Sequence, residues 1–300
     1  MINRRSRRNN QIVRYTFVGL VALFILINLN VFTSFQANES EGPSALLKVE
    51  YNKWRLQQQK IVLGFFSTAR AKDRQWRDTH RQTHFQYPEV CAPSSSSEDC
   101  PILARFVLGR VPPDQLEAIR QENHTFGDLI ELDIEENMNN GKTYHWWKYV
   151  NDHFPFATFV AKSDTDTFVW MKALLGDLAR FGAHPFAIYY GRKSCGHRIG
   201  CKMDQQFISG GFQIMSMDLV QWIADPLNRF VQERIQGYED LITGEWLHEG
   251  HRFVHLESPC PDQIEDMHNI FMDQSCGKVF KHWVKDPSQF HELYATSSGA

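Results

Sequence analysis

The chain has 300 residues and a formal net charge of −3, from 32 basic and 35 acidic side chains. Its densest basic cluster is confined to the N-terminal tail, so nothing points to a nucleic-acid partner. The length beyond residue 60 suffices for one large domain with a substantial core. In chain order the first feature is Arg4, Arg5, Arg7, Arg8 and Arg14, followed by an apolar run from Tyr15 to Phe32 broken only by Asn28 and Asn30. About 18 to 20 apolar residues cross a bilayer as a helix, and basic residues on the N-terminal flank hold that end in the cytosol. A cleavable signal peptide needs a short apolar core and a small-residue cleavage site, whereas Asn30, Val31 and Phe32 close a long one here. The expected organisation is a cytosolic basic tail over 1–14, a single transmembrane signal anchor over 15–33, a polar stem over 34–59 and a lumenal domain over 60–300.

Two features agree with a lumenal domain. Cys91, Cys100, Cys195, Cys201, Cys260 and Cys276 all follow the anchor, where an oxidising compartment lets them pair. Short separations favour Cys91–Cys100, Cys195–Cys201 and Cys260–Cys276. Glycosylation sequons stand at Asn38-Glu39-Ser40 and Asn123-His124-Thr125, on the same side.

Ile61–Phe66 is a compact apolar run fit for a buried strand, and a charged helical stretch follows it through Thr83. The serine-rich segment from Cys91 to Cys100 reads as a surface loop. Ile102–Leu108 is a second strand, and Pro112-Pro113-Asp114 opens a helix running to about Glu122. Strands are expected at Phe126–Asp133, Ala157–Ala161, Phe186–Tyr190 and Phe207–Met215. Helices are expected at Lys142–His153 and Thr167–Phe181, the second stopped by Gly182. Strands alternating with helices argue for an α/β domain with a mostly parallel central sheet flanked by helices, here preceded by a single transmembrane helix.

The central motif runs from Phe159 to Val169, an apolar strand leading into Asp164-Thr165-Asp166. Ligands of α/β sheets bind at the carboxyl ends of strands. Two carboxylates there can hold Mn²⁺ or Mg²⁺ against a diphosphate, which makes a nucleotide diphosphate a better leaving group. The same Asp-x-Asp pattern also occurs in solvated turns; the preceding strand and following helix favour the ligand role. Gly210 and Gly211, in Phe207-Ile-Ser-Gly-Gly-Phe212, fit either close backbone approach to a ligand or a strand bulge. Glu239 and Asp240 begin a helix, where the dipole favours acids; either one could instead serve as a general base on an acceptor hydroxyl. His255, in a strand-like Phe-Val-His-Leu run, could complete a metal shell or be a satisfied core residue.

Taken in order, Ile61-Val-Leu-Gly64, Arg77-Asp-Thr-His80, Phe106-Val-Leu-Gly109, Glu122 with Phe126-Gly-Asp-Leu-Ile130, Asp133, Lys142-Thr143, Lys162 to Val169, Ser209-Gly-Gly-Phe212 and Glu239 to Gly244 resemble the β-1,3-galactosyltransferase and N-acetylglucosaminyltransferase family, relatives of the Fringe enzymes. The resemblance covers about residues 60–255 and rests on the order and spacing of the motifs. It implies a GT-A-like fold in a single-pass, type II Golgi membrane protein, and inverting transfer from a UDP-sugar with Mn²⁺. It further implies Asp164 and Asp166 as metal ligands, Asp240 as the base, and Arg77 and Lys142 at the nucleotide. His80 stands where the family usually has tryptophan, and Thr165 replaces a middle acid that the family varies. Residues after Glu257 match little of the family.

The sequence thus points to a metal-dependent hexosyltransferase passing galactose from UDP to a glycan hydroxyl in a β-1,3 linkage. The alternatives are a UDP-GlcNAc or UDP-glucuronate transferase of the same fold, and an anchored glycan-binding protein with a degenerate site.

Overall fold

The structure, a computed structural model, describes residues 59–93, 100–195, 206–250, 253–259, 275–276 and 279–298. In chain order the elements are β1 (Ile61–Phe66), α1 (Ala71–Gln82), β2 (Ile102–Leu108), α2 (Leu116–Phe126), β3 (Leu129–Glu131), α3 (Lys142–His153), β4 (Phe159–Asp164), β5 (Phe168–Val169) and α4 (Met171–Leu178). Then follow β6 (Ile188–Ser194), β7 (Phe207–Ser216), α5 (Met217–Ala224), α6 (Arg229–Gln232), α7 (Glu239–Glu245), β8 (His255–Glu257), β9 (Ser275–Cys276), β10 (Phe280–Lys281) and α8 (Ser288–Ser298).

Seven strands form the central sheet in the order β3-β2-β1-β4-β7-β6-β8. All pairings are parallel except the two made by β7, which runs antiparallel to β4 and β6. The mostly parallel sheet flanked by helices is as the sequence led one to expect. Parallel strands covered on both faces read as continuous apolar runs, and every residue of β1 is buried. Leu63, Phe65, Phe106 and Ala161 face one layer with α2 and α4, while Val62, Leu103, Val107 and Val160 face α3 and α5. Gly64 admits α3 against the sheet: a Cβ there would lie 2.7 Å from the Trp146 ring. The indole N–H of Trp146 donates to Ala161 O at 3.1 Å, so the ring's large apolar area is buried with its one donor satisfied.

Two boundaries differ from expectation. The helix α2 continues through Phe126 because Gly127, at φ 64°, supplies its left-handed C-terminal cap, so β3 is only Leu129–Glu131. The segment 167–181 is not one helix. Phe168–Val169 is drawn into a small antiparallel sheet, β5-β10-β9, and α4 begins at Met171.

Cys91 and Cys100 form a disulfide with Cα atoms 5.8 Å apart. Cys195 is also disulfide-bonded; the pairs expected for Cys195–Cys201 and Cys260–Cys276 involve side chains outside the described residues. The tail, anchor and stem expected over 1–58 also lie outside them. Among the described residues no helix is long and apolar enough to cross a membrane.

Candidate active site

The strand β4 ends at Asp164, and a tight turn follows in which Thr167 N donates to Asp164 O at 3.2 Å. The far end of the chain returns to this turn. Phe280 and Lys281 of β10 pair with Val169 and Phe168 of β5, which carries the next residue, His282, over the two acids. His282 Nε2 lies 3.7 Å from Asp164 Oδ2 and 3.5 Å from Asp166 Oδ1. Ligand atoms from these three side chains all fall within 4.8 Å of one another. Val284 N donates to Asp166 O at 2.9 Å, and the Lys285 ammonium contacts the Asp166 carboxylate. Burial opposes ionisation of Asp166, but His282 and Lys285 outweigh it and bring the carboxyl down to about 2. Two carboxylate oxygens suit Mg²⁺ or Mn²⁺, and the imidazole nitrogen leans toward a transition ion such as Mn²⁺. The donor set therefore fits a divalent cation.

Behind the acids sits Lys162, fully buried on β4. Its Nζ lies 2.9 Å from both Asp164 Oδ1 and Glu239 Oε1 and donates also to Gly210 O. One cation serves two acids. Burial opposes the charge on Lys162, but the flanking carboxylates hold its pKa above the usual value, while burial pushes the Glu239 carboxyl up. Asp240 is half-buried beside this cluster, with Oδ2 accepting from Gly210 N at 3.2 Å.

The two glycines have separate duties. A Cβ on Gly210 would stand 2.2 Å from Glu239 Oε1, and one on Gly211 would stand 2.5 Å from the His282 ring. Both also fall in the irregular stretch of the β6–β7 pairing, where the register jumps from Gly191–Gln213 to Lys193–Ile208, so the bulge and the close approach coincide here. Gly211→Ala is therefore expected to push His282 off the carboxylates and to weaken Mn²⁺ binding roughly tenfold or more. A Mn²⁺ titration of the folded variant checks this; unchanged affinity would show that the ring accommodates the methyl in place.

Three residues expected at the ligand lie elsewhere. The buried guanidinium of Arg77 makes a two-bond pair with Glu122 at 2.8 and 2.7 Å, and its remaining nitrogen donates to Ser67 Oγ and Thr68 O. Lys142 is likewise buried, with Nζ 2.7 Å from Ser67 O and from both Glu136 oxygens. Buried charges must be paired, and these two hold the loop after β1 instead of presenting a charge to a ligand. His255 is exposed on β8, opposite Ile188 at the start of β6. That strand is three places from β4, about 14 Å, and the strand registers put His255 level with Phe159, roughly 17 Å along the strand from Asp164. It cannot share an ion with the acids; His282 occupies the place expected for it.

At the carboxyl ends of β1 and β2, next to Asp164 across the β1–β4 register, lies a cavity of about 360 Å³ lined by Thr68, Arg70, Gly109, Arg110, Val111, Pro113 and Glu136 among others. This is where an open α/β sheet takes its ligand. The sequence reading missed His282 and Lys285. Their only local signal is the short Val279-Phe-Lys run before them, whose partner strand is two residues long.

Residues 77–194 match the family described as Galactosyltransferase. The β-1,3-galactosyltransferase pvg3 of Schizosaccharomyces pombe is 33% identical over 107 residues, which are 35% of this chain and 26% of that protein. The match thus spans about a quarter of the relative's length. Among solved structures, a mannosyltransferase from Pyrobaculum calidifontis in complex with GDP-Man and Mn²⁺ is similar over 73% of this chain and 63% of its own, at 12% identity and a TM-score of 0.42. A 4-diphosphocytidyl-2C-methyl-D-erythritol synthase from Anaerococcus prevotii is similar over 82% of this chain and 99% of its own, at 8% identity and a TM-score of 0.41. The matched stretch, residues 77–194, carries both acids of the β4 turn and is similar to the galactosyltransferase family.

Proposed function

We propose that the protein transfers a hexose, galactose in the first instance, from a UDP-sugar to a glycan hydroxyl with inversion, forming a β-1,3 linkage. The observation that carries this reading is the convergence of Asp164, Asp166 and His282 at the carboxyl end of β4, with Asp240 beside them across Gly210. Asp164, Asp166 and His282 would hold a divalent cation, which when bound neutralises the diphosphate and eases departure of the nucleotide. The neighbouring cavity receives the nucleotide, and Lys142 and Arg77 keep the loop at its edge in place. Asp240 takes the proton from the acceptor hydroxyl as its oxygen bonds to the anomeric carbon and the bond from that carbon to the diphosphate breaks. A GT-A-like arrangement fits the strand order and the acidic turn. We place the protein in the Golgi membrane, anchored by residues 15–33 with the enzyme in the lumen, on the strength of the arginine-flanked apolar run.

The test is UDP release by the purified full chain from a panel of UDP-sugars with Mn²⁺. Release from UDP-galactose, lost in Asp166→Asn, is the expected result. Release only from UDP-GlcNAc or UDP-glucuronate would change the sugar, and glycan binding without any release would make the protein a binding module with a degenerate site.

A further inference from the structure

The buried histidines His80 and His84 are not used by the mechanism above. His80 ends the exposed-to-buried gradient of α1, His84 sits in the short turn after it, and neither exposes any surface. Their rings stack with centroids 4.7 Å apart and 26° between planes. Around them stand Phe65 and Phe106 of the sheet, Phe168 of β5 and Phe290 of α8. Packing alone does not call for an imidazole in that aromatic box, which a phenylalanine ring would also fill.

Each ring nevertheless makes one directed hydrogen bond to the acidic turn. His80 Nε2 is 2.9 Å from Thr165 O. A carbonyl only accepts, so this nitrogen carries the hydrogen. Val169 N donates to His84 Nε2 at 2.9 Å, so that nitrogen is bare and the hydrogen is on Nδ1. The Nδ1 atoms of both rings have no partner among the described residues, and leaving a buried polar group unmatched costs about 1–3 kcal/mol. Burial pushes both imidazoles down, His80 to about 4, which agrees with two neutral rings. The arrangement gives up stability and holds the backbone on both sides of Asp166. Thr167 Oγ1 to Gly211 O at 2.9 Å and Val284 N to Asp166 O at 2.9 Å complete the hold from the other side.

We infer that His80 and His84 are a pair of positioning residues, neutral and of opposite tautomer, that fix the Asp164–Asp166 turn in the geometry a divalent cation requires. The inference rests on the reading of Asp164 and Asp166 as cation ligands. Groups that orient ligands without touching the ion typically change metal affinity 10- to 100-fold when removed.

The test is Mn²⁺ titration of the full chain, as wild type, His80→Phe, His84→Phe and Asp166→Asn, with thermal midpoints alongside. His80→Phe and His84→Phe should each bind Mn²⁺ at least roughly tenfold more weakly. The midpoint of His80→Phe should hold, because removing the stranded Nδ1 offsets the donor that Thr165 O loses; a residue serving packing alone would not separate the two readouts this way. Binding lost in Asp166→Asn but intact in a folded His80→Phe overturns the inference and leaves the cation reading standing. A wild type that binds no Mn²⁺ overturns both. Should neither phenylalanine variant fold, imidazole ¹⁵N–¹H correlation on the wild type decides. His80 protonated on Nε2 and His84 on Nδ1 is the expected result, and one shared tautomer, or a charged ring, overturns it.

Discussion

Asp240→Asn is expected to transfer sugar at least about a hundredfold more slowly than wild type while binding UDP with Mn²⁺ about as well, since a general base contributes roughly 10²- to 10⁴-fold to rate. The residues alone do not choose between Glu239 and Asp240, and the motif resemblance implies the second. The geometry supports the same choice by a separate argument. Glu239 Oε1 is tied to the buried Lys162 at 2.9 Å, and its Oε2 accepts from Thr143 Oγ1 at 3.4 Å. A carboxylate so engaged is part of the scaffold. Asp240 is aimed by Gly210 N and by Leu241 N at 2.8 Å, and it is half-buried instead of enclosed. The two donors reach different oxygens, so asparagine keeps an acceptor for one of them at a half-buried site and loses the ability to take a proton. A drop in kcat with KM for the donor unchanged marks the loss of an interaction made in the transition state. If a folded Glu239→Gln were inactive while Asp240→Asn worked, the roles would be reversed and Asp240 would be an acidic helix start and nothing more.

The parts of this site that the sequence made legible are those coded locally. β1 is an unbroken apolar run because both of its faces are buried, β2 is broken only by Arg105, β4 opens on the apolar Phe159-Val-Ala161, and the acids of the β4 turn stand shortly after that run ends. What local pattern cannot carry is the return of the chain. Lys285 contacts Asp166 from 119 residues away, through a strand pair of two residues, too short to show any alternation. His255 was a reasonable candidate for the same reason in reverse. It does lie in a strand, but strand order, which periodicity does not encode, puts that strand at the sheet's outer edge. Arg77 and Lys142 show a different limit. Their place in the motif order marks them as needed without saying for what, and the partners that occupy them, Glu122 and Glu136, are distant or unremarkable in sequence. Gly210 and Gly211 likewise read as either a close approach to a ligand or a bulge; the β6–β7 register is irregular there, and the approaching groups are the protein's own Glu239 and His282.

Lys162→Met should be the most destabilising single change at the site, by about 3–5 kcal/mol near neutral pH, as is usual when one partner of a buried ion pair is removed. Methionine matches the unbranched stem, so packing is largely kept, and the loss falls on electrostatics. Asp164 and Glu239 would then face each other without the cation between them, and Gly210 O would lose its donor. The size of the defect should depend on pH in a definite direction. Burial and the charge of Asp240 already raise the Glu239 carboxyl, with Lys162 opposing them. Without Lys162 it rises further. A carboxyl with a raised pKa in the folded state contributes its stability below the unfolded value and loses it as pH climbs through the folded one. The gap in thermal midpoint between variant and wild type should therefore be widest at mildly alkaline pH and narrow as pH falls toward 5. Wild type should show this trend more weakly, because Lys162 stays charged throughout that window and limits the rise of the Glu239 carboxyl. Equal midpoints at neutral pH, or a gap that widens on acidification, would mean that the two acids find another cation, with Lys285 the nearest on the Asp166 side. In that event the rigidity of the acidic turn would have to come from the histidine pair and the C-terminal segment alone.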